Sequence, residues 1–580
     1  MEAIIHTGGR FKNLFWVRPL KEARNDLPKP LKILNYVERN KTMIKTFLNK
    51  KIFLLLIFLI FFSCLALYKI GVPSIFEEDE AKLAEISREI VITGKWVDIQ
   101  HNFSPNFHKP PLYNWVTVSA FKVFGINEFA VRFWAALFGL GTLIITFFLA
   151  SLIFDKKIGL LSTVILGSSF MFLILNRMGL VDTGLTFFVS LTLLLFLVSY
   201  LNKKQRYLLS FTGITAALGL LTKGPLGIIL PAATVFCYLI YKKDFTFFKQ
   251  YFKEILIATI LFFAVGLPWW VIEYNIHGTA FLQGLFGQFM LGIYFNEFQK
   301  HAEPIYFYFL VILIGMLPWS IHSYYGLGIS LKKEFRNKSA FFLIWFLIVF
   351  VLFSFAKTKI PSYSLPLFPP LAIITAVGIN YLLLNTKKKL AVSKFITFGG
   401  LMFLFAALLI VAFLVKVDAE FSAIQTIIKL FLGSSLILSC LGFIFSYAKN
   451  KTLRFYFSLG SLFLITLVFY YMSLTYFLPF YENFKPSKEA ALSLKKAYPN
   501  ADFSIYTFDE WRLSSFVFYL NAKKGAEVLR TEKQLVATLK SKSPAVIFIG
   551  KNSYQTLKSK IPLHKLINVQ YDSVTITNLK

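Results

Sequence analysis

Runs of about 20 apolar residues recur along this chain, joined by short polar turns, and each is long enough to cross a hydrocarbon core as a helix. Lipid offers no partner to backbone amides, so such segments fold as a bundle of helices that satisfy their own hydrogen bonds. The chain has 580 residues, 56% of them hydrophobic and 67 of them Phe. A mean hydropathy of +0.62 excludes a soluble globular protein.

Lys and Arg number 62 against 30 Asp and Glu, a net charge of +32. In a soluble protein that excess would suggest nucleic acid. Here the cations gather in alternate short loops, as the positive-inside bias requires, and a nucleic-acid partner is not expected. Cys64, Cys237 and Cys440 lie inside apolar segments with no metal-ligand spacing, so they are expected as buried small apolar residues without disulfides.

The first 50 residues are basic and lack a signal-peptide core, so they read as a cytoplasmic tail; Met43 is a second candidate start. Spans are expected near 52–70, 129–154, 158–175, 182–201, 207–221, 225–241, 254–274, 304–327, 340–356, 362–384, 394–416, 425–447 and 453–480. That is about thirteen, and an odd number puts the C-terminus outside. The inner turns then carry Asp155-Lys156-Lys157, Lys203-Lys204, Lys242-Lys243, Lys332-Lys333, Lys387-Lys388-Lys389 and Lys449-Asn450-Lys451. Counting 112–124 as a full span would turn every one of these clusters outward. It is therefore read as a re-entrant or interfacial helix of a large first external loop, 71–128.

From about residue 481 the composition becomes that of a small soluble α/β domain, 481–580. Periodicity predicts helices at 487–497 and 531–541, strands near 502–507, 515–520 and 544–549, and two final strands between 564 and 578. The domain has no glycine-rich nucleotide motif and no catalytic cluster.

On the outer face, Glu77-Glu78-Asp79-Glu80 opens a segment in which Leu83, Ile86 and Ile90 recur at helical spacing, an amphipathic helix expected to lie along the membrane surface. Glu77 and Glu78 are explained by the helix dipole alone. Asp79 and Glu80 are candidate catalytic carboxylates, able to act as a general base toward an acceptor hydroxyl. Asp182 opens another helix after an external turn, where an N-cap role is the plain alternative. Lys109, Lys223, Lys357 and Lys359 break the positive-inside bias beside Pro or Gly. A single such lysine could be snorkelling to lipid headgroups; four on one face suggest a bound phosphate. His108 and His301, with Glu303 nearby, could ligate a divalent metal, although no local ligand spacing supports it and no cofactor is required.

Asp79-Glu80-Ala81-Lys82-Leu83-Ala84-Glu85-Ile86, Phe107-His108-Lys109-Pro110, Leu180-Val181-Asp182, Leu221-Thr222-Lys223-Gly224-Pro225, Leu317-Pro318-Trp319 and Ala356-Lys357-Thr358-Lys359-Ile360-Pro361-Ser362-Tyr363 stand in this order. The set resembles the motifs of GT-C glycosyltransferases, most closely the lipid A aminoarabinose transferases and more distantly the protein O-mannosyltransferases, over about residues 50 to 480. The resemblance implies an all-α polytopic fold and an inverting transferase in the cell (inner) membrane, working on its extracytoplasmic face. Its donor would be a polyprenyl-phosphate sugar and its acceptor a glycolipid, glycan or protein. The family's acidic pair maps onto Asp79-Glu80, its second acid onto Asp182, and its phosphate-binding lysine onto Lys109. Lys82, where the family commonly has Arg, joins Lys109, Lys223, Lys357 and Lys359 as a donor-phosphate ligand, without a bidentate grip. His108 replaces a Glu of the lipid A enzymes, which leaves the acceptor open. The rival from another class is a transporter or flippase of a lipid-linked or anionic solute, whose ionisable residues would be expected near the bilayer midplane.

Overall fold

The computed structural model describes residues 50–285, 287, 303–384, 390–417, 421–499, 503–508, 513–561, 565–569 and 573–578. Met43, His301 and Lys387-Lys388-Lys389 lie outside them. The chain divides into two units between Ile57 and Phe58, and the first is described only from Lys50, where the helix Lys50–Leu67 begins. Eight helices among the described residues are long and apolar enough to cross a membrane, nine if one bent pair counts as a single span. The chain is thus a multi-pass membrane protein.

Several other expected spans are helical but short or broken. Segment 207–221 opens as a tight 3-10 stretch, Lys203–Phe211, and only Thr212–Lys223 is α-helical. Segment 158–175 is split at Ser168-Ser169. Phe307–Gly315 and Ser320–Ser330 meet at 113° across a break holding Pro318, which cannot donate the hydrogen bond a straight helix needs there. The three cysteines are unpaired but not buried: Cys64 is exposed and the other two are half-buried.

Leu112–Phe124 is a separate helix of 13 residues, about 20 Å long and so too short to span. The neighbouring Asp79–Thr93 helix corrects the sequence reading. Its middle has no solvent face, since Glu80 and Ala81 and the run Leu83–Ile90, even Arg88, are buried. The reason is the C-terminal segment, which covers the side expected to face water.

That segment is a five-stranded sheet in the order Glu527–Leu529, Ser504–Phe508, Ala545–Gly550, Ser573–Thr577, Lys565–Val569. The first three strands are parallel and the last two antiparallel to their neighbours. Parallel neighbours need crossover helices. One is Glu532–Lys540, opened by a capping box of Thr531 and Gln534. The other is Leu513–Leu520, where the sequence predicts a strand. Phe516, Val517 and Leu520 fill the core under the sheet while Phe518 points into the loop 71–128, so the helix is buried on two faces and its apolar run has no polar side to betray the period.

Contacts between this segment and the loop are dense. Phe518 packs with Ile75, Ala81, Ala84, Phe121 and Val131. Ser487 and Ser515 donate to Glu77 at 3.0 and 2.6 Å, Arg88 donates to the Ala522 carbonyl at 2.7 Å, and Asn102 exchanges two hydrogen bonds with the Ala526 backbone at 2.8 and 2.7 Å.

Candidate active site

Five stretches of chain bring the candidate residues together. Asp79 is the first residue of the Asp79–Thr93 helix, where the positive helix end favours a carboxylate. Lys109 Nζ donates to Asp79 Oδ1 at 2.5 Å, with the two side chains 23% and 41% exposed. Asp182 sits in the first turn of Val181–Leu201, whose N-cap is Leu180, so Asp182 is not the cap. It accepts from Lys223 Nζ at 2.5 Å in a nearly closed pocket. Lys223 ends its helix at Gly224, whose φ of +63° is open only to glycine at low cost, and it lies 3.9 Å from the Tyr363 ring centroid. The returning helix Leu226–Lys242 can approach because Gly219 and Gly227 face each other: a Cβ on Gly227 would fall 2.0 Å from the Gly219 carbonyl carbon.

Lys109, opposed by burial and helped by Lys223 and Lys82, holds the Asp79 carboxyl below the usual aspartate range. Those three cations and two carboxylates, from segments far apart in sequence, therefore form one electrostatic cluster. Lys82 Nζ lies 2.6 Å from His108 Nδ1, an arrangement in which the neutral imidazole accepts. Burial first, then Lys82 and Lys109, push His108 down to about 4. The other expected metal ligand, His301, is outside the described residues.

Two lysines stand apart. Lys359 is buried and spends its ammonium on the Glu303 carbonyl at 2.7 Å; Lys357 is exposed. Neither is among the cations that act on Asp79.

Glu80, expected as a second catalytic carboxylate, is sealed in an ion pair with Arg132. It is 1% exposed, and its oxygens accept from Arg132 Nε and Nη2 at 2.8 Å each, from the Gly179 amide at 2.7 Å and from the Phe76 amide at 2.8 Å. No oxygen is left for substrate. Arg132 is not singled out by the sequence, and Tyr363 enters only as the last residue of the motif that opens at Ala356. Arg132 carried a signal, because a lone arginine in an apolar span demands a buried partner.

Below the cluster the same helix bears Glu85, Arg88 and Glu89. Burial, then the neighbouring Glu85 charge, raise Glu89 to about 8. Its oxygens accept from the amides of Asn102 and Phe103 at 2.6 and 2.9 Å, fixing two non-glycine residues at φ of +55° and +56°. The folded form thus holds a proton more tightly than the unfolded chain, whose Glu titrates near 4.5. The stability this gives is complete below that value and is lost once pH rises past about 8. Thermal unfolding of the purified protein should therefore shift to lower temperature between pH 5 and 9, and Glu89→Gln should flatten that slope. An unchanged slope in the variant would remove Glu89 as its source.

Residues 51–277 match the family described as dolichyl-phosphate-mannose-protein mannosyltransferase. An uncharacterized protein of Aquifex aeolicus is 29% identical, with 84% of this chain and 89% of that protein covered. An undecaprenyl phosphate-alpha-4-amino-4-deoxy-L-arabinose arabinosyl transferase of Wigglesworthia glossinidia brevipalpis is 28% identical over 54% of this chain, and one of Proteus mirabilis is 30% identical over 52%. These alignments span 57% and 55% of the two transferases, a little over half their length. In fold, ArnT from Cupriavidus metallidurans, solved bound to undecaprenyl phosphate, matches with a TM-score of 0.76 at 18% identity, covering 90% of this chain and 98% of that one. The archaeal oligosaccharyltransferase AglB from Archaeoglobus fulgidus matches with a TM-score of 0.51 at 11% identity, covering 87% and 69%. Sequence relatives, fold and motifs agree in what this chain is similar to, the membrane glycosyltransferases of the GT-C type.

Proposed function

We propose that this chain moves a sugar from a polyprenyl-phosphate donor to an acceptor on the extracytoplasmic side of the cell membrane, with inversion at the anomeric carbon. Residues 51–480, crossing the membrane about thirteen times, would form the catalytic domain, 71–128 its first external loop, and 481–580 an extracytoplasmic α/β domain behind a basic cytoplasmic tail, 1–50. The observation that carries this reading is the cluster of Asp79 with Lys109, Lys223 and Lys82. Three ammonium groups around one carboxylate suit an anionic phosphate beside a base.

In the reaction the acceptor oxygen attacks the anomeric carbon while the bond from that carbon to the phosphate oxygen breaks. The electron pair leaves with the lipid phosphate. Lys109 and Lys223 meet the growing charge, Lys82 assists, and Asp182 holds Lys223 in place. Asp79 takes the proton of a hydroxyl acceptor. Donor phosphate would share the pull of the lysines, and the basicity they suppress in Asp79 would return as the donor binds. A phosphate acceptor is already anionic, and Asp79 would then orient it. Glu80 and Arg132 act as positioning residues, and Lys357 and Lys359 are assigned to the rim of the donor site. A transporter reading gains nothing from these charges, which gather at helix ends and in the first loop rather than at the midplane.

The test is the rate of transfer against donor concentration for Lys109→Ala and Lys109→Arg, with a panel of polyprenyl-phosphate sugars. Lys109→Ala should lose about 100-fold in kcat and raise KM for the donor, because the charge it faces grows as the bond breaks. Arg should restore part of both. Wild-type kinetics in both variants would sink the phosphate assignment.

A further inference from the structure

Asp98, Glu273 and His277 form a second polar cluster. Asp98 lies in the first external loop, and the other two are four residues apart, on one face of the Phe252–His277 helix. One ligand atom from each falls within 4.8 Å of the others. His277 Nε2 is 3.0 Å from Asp98 Oδ1 and 3.6 Å from Glu273 Oε2. Metal bonds of about 2.0–2.1 Å set at the tetrahedral angle put neighbouring ligand atoms about 3.3 Å apart, which lies between those separations.

Glu273 supplies the independent observation. Its side chain is 2% exposed, and Oε2 is buried without a hydrogen-bond partner. A buried carboxylate oxygen in that condition is costly, and here it points at an imidazole nitrogen and a second carboxylate. The remaining oxygens are spoken for. Asp98 Oδ2 accepts from Lys95 at 3.0 Å and Gln100 at 3.1 Å, and Glu273 Oε1 receives the Ile99 amide at 3.4 Å. Asp98 Oδ1, hydrogen-bonded to His277 Nε2 at 3.0 Å, and the unpartnered Glu273 Oε2 therefore face the same small volume as that nitrogen.

We propose that Asp98, Glu273 and His277 bind a divalent transition-metal ion of the zinc type, with water completing its shell. The chemistry of the set, one imidazole and two carboxylates, suits such an ion better than calcium or magnesium, which prefer all-oxygen shells. This site is distinct from the one expected at His108 and His301. Its part is to fasten the external loop to the end of a membrane helix. Phe107 sets its ring against His277, with centroids 5.0 Å apart, and Phe107 directly precedes His108 and Lys109. Trp269 adds a hydrogen bond to the Val97 carbonyl at 3.2 Å. The ion thus pins the strip that carries Lys109 without touching the reacting atoms.

The experiment uses the full chain in nanodiscs, stripped with chelator and titrated with zinc against a chromophoric competitor. Cobalt replaces zinc in a parallel run read by visible absorption. One tight equivalent is expected, with the intense cobalt bands of a four-coordinate site. Glu273→Gln and His277→Ala should each weaken it about 100-fold or more, whereas His108→Ala should leave it intact. Asp98→Asn, at the more exposed ligand, guards against misfolding: it should melt like stripped wild type and gain nothing from zinc, where wild type gains several degrees. No tight equivalent in wild type, unchanged binding in Glu273→Gln and His277→Ala, or loss of the equivalent in His108→Ala would each overturn the assignment.

Discussion

Asp79→Asn is expected to cut transfer by about three orders of magnitude while donor KM stays level or falls. The size follows from removing a positioned acid–base group. The split between the two constants follows from the ion pair: Asp79 and Lys109 are 2.5 Å apart in the resting site, so neutralising Asp79 releases Lys109 to the donor phosphate. Folding should be spared, because the pair is partly exposed and such pairs are worth only about 0–1 kcal/mol. The pH profile adds a sign. Lys109, Lys223 and Lys82 hold Asp79 below its ordinary value of 3.8, so it stays ionised through the working range and its limb of the profile should not fall until pH drops below that value. Near-wild-type turnover in Asp79→Asn, with any acceptor, would take Asp79 out of the chemistry.

Glu80→Gln should do the opposite, damaging the fold first. Arg132 donates to both Glu80 oxygens and also to the carbonyls of Ile70, Pro73 and Ser74 at 2.8, 2.7 and 2.9 Å. With the amides of Phe76 and Gly179 aimed at the same carboxylate, every neighbour is a donor. An amide nitrogen placed there meets N–H groups, and Arg132 is left buried without its counter-charge. Breaking such a pair costs about 3–5 kcal/mol. The check is thermal unfolding by size-exclusion fluorescence, in which the variant should aggregate at a markedly lower temperature. Replacing both partners, Glu80→Met with Arg132→Met, should recover part of the loss. A Glu80→Gln protein as stable as wild type would show that the clasp contributes little.

Much of this site was legible because charge is rare in such a chain. Asp79, Lys82, Lys109, Asp182 and Lys223 stood out by interrupting apolar sequence or the loop bias, and they do converge. What periodicity could not give was which acid meets which base. Asp79 and Glu80 are adjacent in sequence and chemically alike, yet one is half-open beside Lys109 and the other sealed against Arg132, a difference set by a span 52 residues away. Lys359 reads like Lys223 but is consumed by a carbonyl. The Leu513–Leu520 helix was misread for a related reason: burial on both faces removes the polar positions that mark a helical repeat.

The contacts that seal the loop 71–128 also impose an order on assembly. Glu77 and Ser515 are 438 residues apart, and the Asn102 pair with Ala526 spans 424. A ribosome therefore delivers the loop bearing Asp79 and Lys109 long before the residues that cover it exist. Those hydrogen bonds form only after the last membrane helix has been inserted and the terminal sheet has folded around its parallel strands. The helix that opens at Asp79 is clasped through Ser487, Ser515 and Ala526, so a chain that stops short of them lacks that clasp.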